Sequence, residues 1–140
     1  MIERYLFRGK RKDNKEWIYG GIYYQEKDEM KDEAVYIITG SLSDIACAVE
    51  VIPETVGRCT ELKDKNGKLI FKGDIIRTKE YGRVIAHSTV SDYDIFRITY
   101  VPAMFRIENI HRAFNLVGNS ADYEVIGNIY DNPELFEVER

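Results

Sequence analysis

Apolar residues in this chain come in short runs, each closed within a few positions by glycine, proline or an Asp/Asn step. Ala34-Val35-Tyr36-Ile37-Ile38-Thr39 ends at Gly40-Ser41, and Leu69-Ile70-Phe71 ends at Lys72-Gly73-Asp74. Tyr123-Glu124-Val125-Ile126-Gly127-Asn128-Ile129-Tyr130 ends at Asp131-Asn132-Pro133. Such runs have the normal length of strands and are too short for most helices. Composition agrees, because ten tyrosines and six phenylalanines stand against three prolines, and aromatic side chains suit a half-buried pleated surface. The expected class is mainly β: a small partly open barrel or sandwich built from short hairpins, with at most one or two short helices.

Individual turns can be placed from their residues. Ile2–Phe7 and Trp17–Tyr24 read as two aromatic strands joined by the basic, turn-like stretch Arg8-Gly9-Lys10-Arg11-Lys12-Asp13-Asn14-Lys15. The paired Gly20 and Gly21 predict a bulge, bend or close backbone approach in the second strand. Gln25–Glu33 has almost nothing to bury, and is expected to be a solvated, mobile loop. Ser43-Asp44 offers a cap for one helical turn before a strand, Cys47–Ile52, that stops at Pro53. In Lys65-Asn66-Gly67-Lys68 the Asn-Gly pair predicts a type I′ hairpin turn, since both residues tolerate positive φ. Gly73-Asp74 and a second turn at Glu80-Tyr81-Gly82, before the strand Arg83–Ala86, resemble the corners of small SH3-like barrels. Pro102 predicts a break, bulge or sheet edge within Ile95–Ile107. Glu108–Leu116 fits either a helix or a strand, and Pro133 suits the first position of a short helical turn.

At 140 residues the chain reads as one domain, 1–140, with a subdivision near 53–60 between an N-terminal strand region and a C-terminal small-barrel region. A net charge of −4 gives the whole molecule no long-range attraction for phosphate backbones or anionic lipid. Cys47 and Cys59 lack the paired spacing of a zinc or redox site and read as buried thiols. His87 and His111 stand in no metal-binding spacing, and no nucleophile elbow or phosphate-cradling glycine loop is present. Asp92, Asp94, Glu108, Asp122 and Glu124 read as solvated carboxylates rather than a metal or acid/base cluster. No catalytic residue, cofactor or metal is therefore expected, and the chain does not read as an enzyme. No apolar run approaches the roughly 18 residues of a membrane span, and the amino terminus has no signal-peptide core, so a cytoplasmic location is expected.

One nucleic-acid reading exists beside these exclusions. Lys63, Lys65, Lys68, Lys72, Arg77, Lys79 and Arg83 are interleaved with Phe71 and Tyr81. Lys68, Lys72 and Arg77 would then contact phosphates while Phe71 and Tyr81 stack bases of a single strand. The plainer reading is that lysines at hairpin tips aid solubility and discourage edge pairing.

Val51-Ile52-Pro53-Glu54-Thr55-Val56-Gly57, followed by Thr60, Leu62, Asp64-Lys65-Asn66-Gly67-Lys68, Ile70-Phe71 and Gly73-Asp74-Ile75-Ile76, resembles the central motif of YopX-like proteins. Tyr123 through Leu135 resembles that family's closing motif, and Phe7-Arg8-Gly9 with Trp17, Tyr19 and Gly20 its opening. The pattern carries glutamine where Arg58 stands and glycine where Glu61 stands, so the path from Gly57 to Leu62 is expected to differ locally. The resemblance implies a phage or prophage origin in a bacterial host, a mainly β fold and self-assembly, and it carries over no reaction. Pro53, Gly57, Asn66, Gly67, Gly73, Asp74, Gly127, Asn128 and Pro133 are then structural residues of backbone turns. The expected function is a non-enzymatic protein that self-associates, or binds a host or phage protein, through aromatic surface. Single-stranded nucleic-acid binding is the alternative.

Overall fold

The structure is a computed structural model that describes residues 3–39, 48–78, 94–101, 104–109, 113–116 and 122–137. The chain divides into two units, Met1–Cys59 and Thr60–Arg140. It is mainly β, with a single short α-helix among the described residues, as the short apolar runs predict. The cap at Ser43-Asp44, Cys47, the turn at Glu80-Tyr81-Gly82, the strand Arg83–Ala86, both histidines, Asp92 and Pro102 lie outside the described residues.

The first unit opens with a 3-10 turn, Glu3–Tyr5, and continues through β1 (Phe7–Lys10), β2 (Trp17–Gln25), β3 (Ala34–Ile38) and β4 (Ala48–Val51). A 3-10 turn, Pro53–Thr55, then leads into β5 (Gly57–Lys63). These strands lie antiparallel in the order β4-β3-β2-β1-β5. The first hairpin forms as expected, with Phe7 opposite Gly20 and Lys10 opposite Trp17. Its first strand, however, is shifted along the chain. Arg8, Gly9 and Lys10 are strand residues, and the turn proper runs from Arg11 to Glu16, closed by Arg11 N–H donating to the Glu16 carbonyl at 2.8 Å. The reason is Arg8, which is only 4% exposed and sets its guanidinium over the Trp17 ring at 4.6 Å, so its stem packs like an apolar side chain.

β2 runs nine residues without a bulge. Its first half pairs with β1, and from Gly21 onward it pairs with β3, Gly21 opposite Ile38 and Gln25 opposite Ala34. Gly20 marks a close approach: a Cβ there would fall 2.0 Å from the Ile38 carbonyl oxygen. Beyond β4 the sheet curls back on the chain leaving β1. Arg11 bridges Val51, Lys12 N–H donates to the Glu50 carbonyl at 3.1 Å, and Ile52 N–H donates to the Lys10 carbonyl at 2.9 Å. Thr55 pins this junction, since its hydroxyl accepts the Lys10 N–H at 2.9 Å and donates to the Ile52 carbonyl at 2.6 Å. Ile37 and Val51 are fully buried within the unit.

In the second unit β5 pairs with β6 (Leu69–Phe71), and β7 (Asp74–Thr78), β8 (Asp94–Val101), β9 (Met104–Glu108), β10 (Ala113–Asn115) and β11 (Glu124–Asn128) follow, before α1 (Pro133–Glu137). A five-stranded antiparallel sheet has the order β10-β9-β8-β7-β11. The β5–β6 turn corrects the type I′ expectation. Only Gly67 has positive φ, at 82°, while Gly67 N–H donates to the Asp64 carbonyl at 3.0 Å and Asp64 N–H to the Lys68 carbonyl at 2.8 Å. This is a three-residue loop with glycine in the left-handed position, in which Asn66 keeps negative φ.

Val101 pairs with Met104 in the antiparallel β8–β9 ladder. Of the ambiguous stretch Glu108–Leu116, Ala113–Asn115 is strand, because β10 finds a ladder on β9 with Phe114 opposite Ile107. β11 carries a register shift between Val125 and Gly127 against β7, and Pro133 does open the helix. Ile70, Ile76, Phe96, Ile98, Ile107 and Tyr123 form the core, flanked by Leu62, Phe105, Leu116 and Val125. Full burial of each large apolar side chain contributes about 1.5–3 kcal/mol.

Candidate interaction surface

Along β2 the side chains alternate, so Tyr19 and Tyr23 point to one face and Ile22 and Tyr24 to the other. In a sheet with one buried face only one of these sets would be exposed. Here Tyr19 is 46%, Ile22 41%, Tyr23 55% and Tyr24 50% exposed. Beyond Gly21 the strand β2 therefore carries half-exposed large side chains on both faces, although Ile37, opposite Ile22, is buried. Tyr23 packs against its cross-strand partner Tyr36, with ring centroids 6.2 Å apart and a 49° tilt, a geometry that aromatic quadrupoles favour.

The hairpin ends in an acidic tip. Asp28 Oδ1 accepts the N–H groups of Met30 and Lys31, each at 2.7 Å, a local turn that Asp forms readily. Gln25 Nε2 donates to the Asp32 carbonyl at 2.8 Å, and Met30, 89% exposed, projects from the loop. A hydrogen bond to Glu33 raises the Tyr24 phenol above its ordinary pKa.

The other end of β2 is basic. Lys10, Arg11, Lys12 and Lys15 surround the β1–β2 turn, with Asp13 and Glu16 among them. Arg11 pairs with Asp13 at 2.8 Å and Lys12 with Glu50 at 3.0 Å. Hydrogen bonding to Glu50 raises the Lys12 pKa, and hydrogen bonding from Arg11 lowers that of Asp13. Lys10 Nζ stands 5.6 Å from the centre of the Trp17 ring.

The nucleic-acid set does not assemble as expected. Phe71 is only 4% exposed and its N–H donates to Asp74 Oδ2 at 2.8 Å, so it is a core residue and cannot stack on a base. Arg77 pairs with Glu124, which Lys65 also approaches at 3.8 Å. Lys68 lies exposed on the β5–β6 turn, Lys72 is half-buried, and Tyr81 lies outside the described residues.

In the structural set Asn66, Gly67 and Gly73 fall on turns, while Gly57, Asp74, Gly127 and Asn128 are strand residues. Pro53 opens the second 3-10 turn, Gly57 is buried opposite Arg8, and Gly73 has φ 94°. Asn66 N–H and Lys68 N–H both donate to Asp64 Oδ1 at 2.9 Å. Asn128 Oδ1 accepts Tyr130 N–H at 3.0 Å and Asp131 N–H at 2.9 Å, shaping the corner before Pro133. Among the described residues no three His, Cys, Asp or Glu side chains converge as a metal would require, and no helix is long and apolar enough to cross a membrane.

The exposed hairpin residues were missed as a set by sequence reasoning. Their one signal is the consecutive triplet Ile22-Tyr23-Tyr24, which breaks the apolar/polar alternation expected of a strand with one wet face.

Fold and surface together define a small mainly β protein of antiparallel strands that carries an exposed aromatic hairpin. The model of the YopX protein family matches residues 6–137, and the chain belongs to that family. It is also similar to the crystal structure of protein EF1440 from Enterococcus faecalis, with 25% identity and a TM-score of 0.53, over 93% of this chain and 96% of that one. No curated protein matches the chain.

Proposed function

We propose that this chain is a non-enzymatic assembly protein of phage or prophage origin, working in the bacterial cytoplasm, and that it binds a second copy of itself through the β2–β3 hairpin. The observation that carries this reading is the exposure of three consecutive large side chains, Ile22, Tyr23 and Tyr24, on both faces of one strand. Tyrosine offers a large apolar body with a polar tip, which suits a surface that is wet alone and dry in a complex. Charge supports a second copy as the occupant. The Lys10–Lys15 turn and the Glu26–Glu33 loop stand at opposite ends of β2, with opposite net sign. Two copies related by a two-fold axis across the hairpin would lay each basic end over the other's acidic end.

The test is the solution mass by light scattering, for the natural chain and for the Tyr23→Ser/Tyr24→Ser variant. A multiple of the 16.3 kDa chain mass that falls toward one chain in the variant supports the reading. A monomeric natural chain overturns it.

A further inference from the structure

The face of the second sheet opposite its core is unusually rich in arginine. Phe96 and Ile98 of β8 and Ile107 of β9 point inward, so the alternating residues Arg97, Thr99, Arg106 and Glu108 share the outer face. In the register Arg97 stands opposite Glu108 and Thr99 opposite Arg106. Arg97 Nη2 donates to Glu108 Oε1 at 2.9 Å, and Arg77, on the same face of β7, pairs with Glu124.

Arg77 and Arg97 use Nη2 for these carboxylates and keep a sealed Nε without a hydrogen-bond partner among the described residues, and Arg106 shares that feature. Oγ1 of Thr99, directly across from Arg106, is sealed in the same way. Two facing side chains that each leave a polar atom unmatched, beside a second guanidinium, are short of an acceptor. Buried polar atoms of this kind are rare and mark strain or a missing water or ion. Directly opposed residues lie about 5 Å apart at Cβ and diagonal ones about 7–8 Å, so Arg97 adds its charge to the same spot.

We propose that β8 and β9 form a binding site for a tetrahedral oxyanion of the phosphate class at Thr99 and Arg106. The Nε edge of a guanidinium presents two parallel N–H groups that match two oxygens of such an anion. The Thr99 hydroxyl donates to a third oxygen, and Arg97 supplies longer-range attraction. A planar carboxylate has two oxygens and leaves one of these donors unmatched.

Inorganic phosphate is titrated into the full chain, followed by 31P NMR line broadening and thermal unfolding, with chloride at equal ionic strength as reference. Saturable broadening and a higher Tm in phosphate than in chloride are expected. Arg106→Gln should weaken binding by about tenfold or more, the loss of one charge-assisted pair. Thr99→Val, which keeps the side-chain shape, should weaken it less while leaving the circular dichroism spectrum unchanged. Equal behaviour in phosphate and chloride, or unweakened binding in a folded Arg106→Gln chain, overturns the proposal. Displacement of phosphate by a short single-stranded oligonucleotide assigns the anion to a nucleic-acid backbone, and failure to displace it assigns a free phosphate. Because the site lies within the second unit, its outcome is independent of self-association through the hairpin.

Discussion

Asp64 Oδ2 accepts the N–H of Val125 at 2.9 Å, sixty-one residues further along the chain. Its other oxygen accepts Asn66 and Lys68 N–H within the β5–β6 turn, and Lys65 N–H donates to the Tyr123 carbonyl at 2.8 Å. One buried carboxylate thus ties a local turn to the start of β11. Burial opposes its ionisation, but the N–H groups of Val125, Lys68 and Asn66 outweigh burial and hold its pKa below the usual value.

Acid unfolding follows from this. The folded pKa of Asp64 lies below the unfolded one, so the unfolded chain binds the proton more readily. The stabilisation is complete above the unfolded value of about 3.9 and is lost as pH falls below it through the folded pKa. In urea unfolding between pH 2 and pH 7, Asp64→Asn should be less stable at neutral pH by about 1–3 kcal/mol and should show a shallower decline in acid. An identical acid slope in both chains would refute the assignment.

Glu61 has φ 70°, a left-handed conformation that costs a side-chain-bearing residue about 1–2 kcal/mol. Glycine would hold this backbone conformation without that cost. Glu61→Gly should stabilise the chain by about 1 kcal/mol, net of the greater freedom glycine gains on unfolding, read as a higher urea midpoint at constant slope.

Gly67 and Gly73 both hold positive φ, at 82° and 94°, yet their surroundings differ. A Cβ at Gly67 meets nothing within 4 Å, whereas at Gly73 it would lie 2.8 Å from Tyr130 Cε2. Alanine at Gly67 should cost about 1 kcal/mol through backbone strain alone. At Gly73 it should cost about 2–4 kcal/mol, because the Tyr130 ring must also move. Thermal melts of the two variants distinguish the cases, and equal losses would contradict the close contact.

Replacing Tyr23 and Tyr24 by serine removes exposed side chains. Unfolding of dilute chain should therefore shift by no more than about 0.5 kcal/mol per site, while the mass measured by light scattering falls. A large loss of stability without a change in mass would mean that these tyrosines support the hairpin rather than an interface.

Strand and turn positions were legible because the signals are local. Pro133 at the helix start and the strand Ala34–Ile38 both follow from φ preferences and local apolar patterning. Glycine at position 67 was legible as a turn residue, but the turn type depended on Asp64, whose side chain already engages Asn66 and Lys68 N–H. The Glu108–Leu116 segment was undecidable alone, since its residues serve helix and strand equally, and only a ladder on β9 makes Ala113–Asn115 a strand.

What the sequence by itself determined is the mainly β class, most of the strands and the corners between them, because each rests on the chemistry of neighbouring residues. Tertiary structure alone decided which side chains are wet. Arg8 and Phe71, basic turn and stacking platform to a reader of sequence, are only 4% exposed each, while Tyr23 and Tyr24 stand half-exposed. Burial is set by which strands pair and in what register, and those partners lie tens of residues apart, beyond the reach of any local pattern.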